Sequence, residues 1–245
     1  MKKLKEIRLL LKKHQQKSND KTALFYKTGA GDYAEHDQFI GVRVPDLRKI
    51  AKEFAGLTLA EMQSLIESPI NEERLLCLLI LVQQYQNAEG QTKDDLYHFY
   101  MGNLNYVNNW NLVDASAHLI VGAHLLTADK SVLLALAKSQ IMWQRRIAIV
   151  ATWYFIRSDQ LGWTFKIAEL LLNDPHDLIH KAIGWMLREA GKRNQEMLIA
   201  FLDQYGCQMP RTMLRYAIEK FPEPQRQEYL KRKGESKNCI KRTDS

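Results

Sequence analysis

Apolar residues recur at helical spacing along almost the whole chain, and no segment shows the strict alternation of a half-buried strand. The pattern predicts helices over 3–16, 58–67, 71–86, 92–102, 110–126, 130–138, 142–157, 160–172, 177–191, 195–205 and 211–220. Thr58 and Glu61 have the spacing of a capping box, in which the hydroxyl accepts from a free amide and the carboxylate reaches back. Asn71 is the expected N-cap of the next helix. That helix carries the run Leu75 to Val82, apolar nearly all round, as an inner helix of a stacked array requires. Pro175, Pro210, Pro222 and Pro224 fall between predicted helices or at their first turns, where a missing amide hydrogen costs least.

A repeat is visible in register. Arg74, Trp110, Arg146, Lys181 and Tyr216 are separated by 36, 36, 35 and 35 positions, and each stands early in a predicted helix, followed by apolar residues. A period of this size belongs to helix-hairpin repeats such as HEAT. The fold expected is therefore all-α: a superhelical array of HEAT-like antiparallel helix pairs with a concave face lined by alternate helices. Residues 1–230 are expected to form a single repeat domain. Residues 1–45, with the glycine-containing loop 27–33 and a link through Gly41 to Pro45, serve as its terminal cap. Residues 231–245 read as a basic, disordered tail.

Composition narrows the class. The 245 residues are 46% hydrophobic, ample for a packed core, and carry a formal net charge of +7. That charge favours a polyanionic partner, nucleic acid first, because Lys and Arg displace condensed counterions from phosphates. Three scattered cysteines (Cys77, Cys207, Cys239) do not make a disulfide framework. No apolar run reaches the ~18 residues of a membrane span, and the first residues break their apolar positions with charge, unlike a signal peptide. The expectation is a soluble intracellular protein.

The register gathers chemistry. Asp114 lies one helical turn from Trp110, and Trp185 one turn from Lys181. With Arg146 from the intervening repeat, a carboxylate, a guanidinium and two aromatics are expected on one concave surface. Such a set suits a cationic ligand or a transition state that develops positive charge. Taken singly, a lone Asp is ordinarily a surface or salt-bridged group, and a Trp is ordinarily core. Trp143, Trp153 and Trp163 are read that way. Arg145, Lys181, Arg188, Lys192, Arg193, Arg211 and Arg215 recur along the later inner helices, with Arg43 and Arg48 near the cap. They form either solvated faces or a track of phosphate contacts. His176 and His180 have the i, i+4 spacing of a zinc helix, but lack the glutamate and third ligand of that motif. Gly29 and Gly31 form a turn rather than a phosphate-binding fingerprint. Neither a metal nor a cofactor is expected.

At these residues the chain resembles the AlkD family of bacterial DNA alkylation repair glycosylases. The segments that carry the resemblance are Phe-Tyr-Lys-Thr-Gly-Ala-Gly-Asp-Tyr (25–33), Phe-Ile-Gly-Val-Arg-Val-Pro (39–45), Asn-Asn-Trp-Asn-Leu-Val-Asp (108–114), Trp-Gln-Arg-Arg (143–146) and Lys-Ala-Ile-Gly-Trp-Met-Leu-Arg-Glu (181–189). The resemblance runs from about residue 1 to 230. It implies HEAT-like repeats wrapping double-stranded DNA and release of alkylated purines such as 3-methyladenine and 7-methylguanine. It implies Asp114 as catalytic carboxylate, Trp110 and Trp185 as functional tryptophans, and Arg146 as the active-site arginine. A monomer acting in the bacterial cytoplasm, at the nucleoid, goes with this reading. The chain departs from the pattern at Asn109 and Asn111, where the compared member has Trp and Asp. Two other readings compete: a non-catalytic HEAT-repeat protein that binds damaged or branched DNA, and a protein-interaction scaffold. The intact set of four residues favours catalysis over the first, and the repeated basic positions weigh against the apolar groove needed by the second.

Overall fold

The computed structural model describes residues 2–16 and 25–232, all-helical apart from one isolated parallel bridge between Gln38 and Ile70. The chain divides into two compact units, Met1–His124 and Leu125–Ser245.

In the first unit, α1 (Lys2–His14) packs on α2 (Val44–Glu53), and α2 and α3 (Leu59–Ile66) pack on α4 (Asn71–Asn87). Thr58 and Glu61 close the capping box at the start of α3. The central helix α4 also contacts α5 (Gly90–Gly102) and α6 (Trp110–Ala117). From Asn71 to Val82 it is buried on nearly every side, as its apolar run requires. Its polar first turn is buried as well: Asn71, Glu72, Glu73 and Arg74 are each 5% exposed or less. Polar groups go inside only when they are bonded, and each of these has a partner. The Glu72 carboxylate accepts the amides of Ile40 and Gly41, which raises no clash because Gly41 has φ +79° and no Cβ; a Cβ there would stand 2.6 Å from the Gln16 carbonyl. Burial pushes the Glu72 carboxyl up, against the pull of those amides. Glu73 pairs with Arg8 of α1 at 3.1 Å. Asn71 and Arg74 both bond to Asp37.

In the second unit, α7 (Ser131–Ala137) packs on α8 (Met142–Arg157). The helix α8 contacts α9 (Gly162–Leu170) and α10 (Asp177–Arg193), and α10 contacts α11 (Gln195–Tyr205) and α12 (Arg211–Ala217). A short α13 (Glu223–Lys231) follows. In each unit the helices that carry the 35–36-residue register are neighbours: α4 and α6 in the first, α8, α10 and α12 in the second. Gly184 shows how close the second set comes. A Cβ on it would stand 2.5 Å from both the Met213 carbonyl oxygen and the Tyr216 Cβ of α12.

Several expectations need correction. Asn71 is the first residue of α4 and not its cap; Ile70 holds the cap position, and the Asn71 amide is satisfied by the Gln38 carbonyl through the isolated bridge. The segment from Gly41 to Pro45, read as a link, leads straight into α2, with Pro45 in its first turn. The helix α13 begins in the same manner, with Pro224 in its first turn. The segment 110–126 is α only to Ala117, and a π turn (His118–Gly122) precedes a last α turn (Ala123–Leu125). A π turn inserts an extra residue and shifts the buried face, so helical periodicity reads straight through it. The tail expected over 231–245 lies, from residue 233 onward, outside the described residues.

The close approach at Gly184 gives a first prediction. Gly184→Ala is expected to lower the unfolding free energy by about 2 kcal/mol, because the added methyl meets backbone that cannot yield. Gly102→Ala, with nothing within 4 Å of its Cβ position, is the control and is expected to be neutral or stabilising. Urea denaturation of both variants checks this; equal midpoints would contradict the packing.

Candidate functional site

The helix α6 presents Trp110 at its first position and Asp114 one turn on, both half-buried. Trp110 is held from two sides. Its ring stacks on Tyr26 at 5.4 Å and 14°, and Tyr26 stacks in turn on Phe39 at 4.2 Å and 21°. Phe25 meets Trp110 edge-on at 5.3 Å. Its backbone amide is taken by the Asn109 side chain at 2.7 Å. Nearly two turns along, Ser116 donates to the Leu112 carbonyl and meets the buried Tyr100 hydroxyl at 3.1 Å. Burial raises the Tyr100 phenol, and the charge of Asp114 adds to the push, so Tyr100 stays a neutral hydroxyl.

Beneath the N-terminus of α6 lies a polar cluster that the sequence pattern did not show. Asp37, with no exposed side-chain surface, pairs with Arg74 and accepts from Asn71 at 2.9 Å and Asn109 at 2.7 Å. Arg74 also reaches the Ser68 carbonyl and Asn108. Asn111 donates to Asn71 at 2.7 Å, and Asn108 meets His36 at 2.8 Å. Arg74, which shares the register of Trp110 and Arg146, is thus a core ion-pair partner.

In the second unit, Arg146 on α8 is buried, and its Nη1 donates to the Leu178 carbonyl in the first turn of α10. Two turns along α10, Trp185 is half-buried and meets Trp153 edge-on at 4.9 Å. Trp143 is core, as expected, but Trp153 is a half-buried neighbour of a candidate residue. The aromatic partner of Trp153 lies thirty-two positions away, which no local pattern reveals. Trp163 is half-buried with the Lys166 ammonium 4.6 Å from its ring. His176 accepts the Leu178 amide on Nδ1, and His180 Nε2 meets the Asp174 carbonyl. Burial lowers the His176 pKa, with Arg145 adding to the fall, which keeps Nδ1 available as the cap of α10.

Comparison with known proteins bears on this arrangement. A family model described as DNA alkylation repair enzyme matches residues 7–221. The chain belongs to the DNA alkylation repair enzyme family. A solved structure, a predicted DNA alkylation repair enzyme from Enterococcus faecalis, is similar in fold with a TM-score of 0.66. It is 16% identical, over 83% of this chain and 94% of that one. No curated protein matches.

Membership assigns the repair enzyme a role in alkylation repair and suggests DNA as its partner, which makes the state of each basic residue informative. No helix among the described residues is long and apolar enough to cross a membrane. Arg43, Arg48 and Arg215 are exposed; Arg43 has Asp46 at 3.9 Å. Lys181 pairs with Asp177 at 2.8 Å, and its bond, with a second from Thr212, holds the Asp177 carboxyl below its usual range. Arg188 pairs with Glu189 and Glu219, Lys192 with Glu189, and Arg193 with Asp159. Exposed pairs such as Lys181–Asp177 and Arg193–Asp159 are worth about 1 kcal/mol or less, so a phosphate can displace the carboxylate, whereas Arg188 and Glu189 are largely covered. Arg211 is half-buried, with Nη1 inside.

Arg145 is different. Its Nε and Nη2 bond to the buried Asp174, and its Nη1 to the carbonyls of Ser139 and Gln140. Those donors are spent on the fold, which sets it apart from the phosphate track expected for it. Arg145→Ala is expected to destabilise the repair enzyme by about 3 kcal/mol, because it strands the Asp174 carboxylate. The slope of DNA affinity against salt should stay at the wild-type value. A slope reduced by about one, with full stability, would return Arg145 to the phosphate contacts.

Proposed function

We propose that this repair enzyme is a DNA N-glycosylase that hydrolyses the N-glycosidic bond of alkylated, cationic purines in duplex DNA, with 3-methyladenine and 7-methylguanine as representative substrates. The observation that carries the reading is the pairing on α6: Asp114 one turn beyond Trp110, both half-buried and both on a helix start fixed by bonds on several sides.

The chemistry follows from charge. Alkylation of a purine ring nitrogen makes the base a cation. When the bond to C1′ breaks, its electron pair passes to the base, which departs neutral, and little acid assistance is required. The deoxyribose left behind is an oxocarbenium ion. Asp114 stabilises that cation and orients the water that adds to C1′, taking or relaying its proton. Trp110 offers a ring face to the positive sugar, an interaction of about 0.5–2 kcal/mol.

From the second unit, Arg146 and Trp185 enter through the resemblance. Trp185 is proposed to contact the lesion's sugar and backbone. Arg146 is proposed to anchor α10 through Leu178, and so to fix the helix that carries Trp185. Arg43, Arg48, Lys181, Arg188, Lys192, Arg193, Arg211 and Arg215 are proposed as backbone contacts that position the duplex without reading its sequence.

The test is release of labelled 7-methylguanine and 3-methyladenine from alkylated duplex DNA. Asp114→Asn is expected to lose at least a hundredfold in rate, about 3 kcal/mol at the transition state, with DNA affinity unchanged or tighter. Equal release by the variant removes Asp114 from the chemistry. Salt-sensitive DNA binding with no release by the wild type favours the non-catalytic reading.

A further inference from the structure

The cluster under α6 is built to hold the two residues that face the reaction. Asp37 uses both carboxylate oxygens: Oδ1 faces Arg74, and Oδ2 accepts from Asn71 and Asn109. Asn109, with no exposed surface, is a bridge. Its Nδ2 donates to Asp37, and its Oδ1 accepts the Trp110 amide, the first of α6. Its backbone carbonyl then accepts from Leu112 and Val113. Asn111, inside the first turn, is tied to Asn71 at 2.7 Å. The start of α6 is therefore bonded at several points to groups that are themselves fixed on α4 and the 36–41 segment. A helix end held only by its own cap frays; this one does not have that freedom. Four residues along α6, the carboxylate of Asp114 inherits the position.

We propose that Asp37 is a positioning residue, acting through Asn109 to fix the rotation and register of α6, and so the placement of Trp110 and Asp114 against the lesion. Asp37 itself touches no substrate in this scheme. The proposal rests on the glycosylase reading for its effect on rate, but not for its effect on the helix. It assigns a role to two positions, Asn109 and Asn111, at which the chain departs from the AlkD pattern.

The discriminating variant is Asn109→Ser. Serine caps helices as well as asparagine does, but its shorter side chain cannot bridge the cap and Asp37 together. Three quantities are read on the full chain: the single-turnover rate on duplex containing 7-methylguanine, the Kd for that duplex, and hydrogen exchange of the amides 110–113 with α10 as internal reference. The rate is expected to fall at least tenfold with Kd within twofold, and exchange to quicken in 110–113 alone. A purely structural loss would speed exchange throughout the first unit and weaken binding; that result overturns the proposal, as does wild-type rate with wild-type exchange. If the wild type releases no base, the glycosylase reading falls and exchange alone decides: local quickening supports the positioning role, unchanged exchange removes it. Should Asn109→Ser not fold, Asn109→Thr, another capping side chain too short to reach Asp37 and close to asparagine in volume, is read by the same criteria.

Discussion

A carboxylate with no exposed side-chain surface, Asp37, faces a guanidinium that is almost as buried, Arg74, and the first unit is assembled around the pair. Neither charge could stay inside alone, since an unpaired buried ion costs several kcal/mol. Each therefore recruits neighbours: Asn71 and Asn109 bond to Asp37, and Asn108 and the Ser68 carbonyl to Arg74, whose Nε alone stays without a bond. The consequence is geometric. The 36–41 segment, the start of α4 and the start of α6, the helix carrying Trp110 and Asp114, are fixed with respect to one another. Glu72 does the same for the segment ending at Gly41, whose Phe39 supports Tyr26 and, through it, Trp110. Polar and aromatic supports thus arrive at one tryptophan from different directions.

This arrangement suits the proposed reaction. A cationic leaving group removes most of the need for a general acid, so what remains is to present a carboxylate and a ring face to a short-lived sugar cation. Preorganisation decides the efficiency of such electrostatic stabilisation, because groups that must reorient at the moment of reaction lose their advantage. A carboxylate on a short helix whose first turn is tied at Trp110 and Asn111 is preorganised in that sense. The second unit follows the same logic more simply: Arg146 fastens the first turn of α10, and Trp153 packs against Trp185 two turns later.

Much of this was legible in the sequence. Helix after helix could be read from apolar spacing, α8 and α11 to the residue, because a packed inner layer leaves a strong period-3.6 signal. The start of α6 at Trp110 and the placing of Asp114 one turn on followed from the same register. What escaped was either short or non-local. The helix α2 is ten residues and carries a proline in its first turn, so a punctuating residue concealed an element. Arg74 fitted the repeat, yet its partner stands thirty-seven positions away in a loop with no periodicity of its own. Arg145 looked like one more basic residue until Asp174 was found to claim it. Hydrophobic spacing records which face is buried, and it does not record which polar groups are buried along with it.

In the proposed mechanism, bond cleavage is driven by the positive charge of the lesion and answered by Asp114. The most direct test compares two duplexes that differ in that charge alone, one with 7-methylguanine and one with its neutral 7-deaza counterpart bearing the same methyl group. Equal binding of both duplexes, with release from the cationic one only, is expected. Comparable release from the neutral duplex would contradict it, because the enzyme would then have to protonate the leaving base by a group the account does not contain.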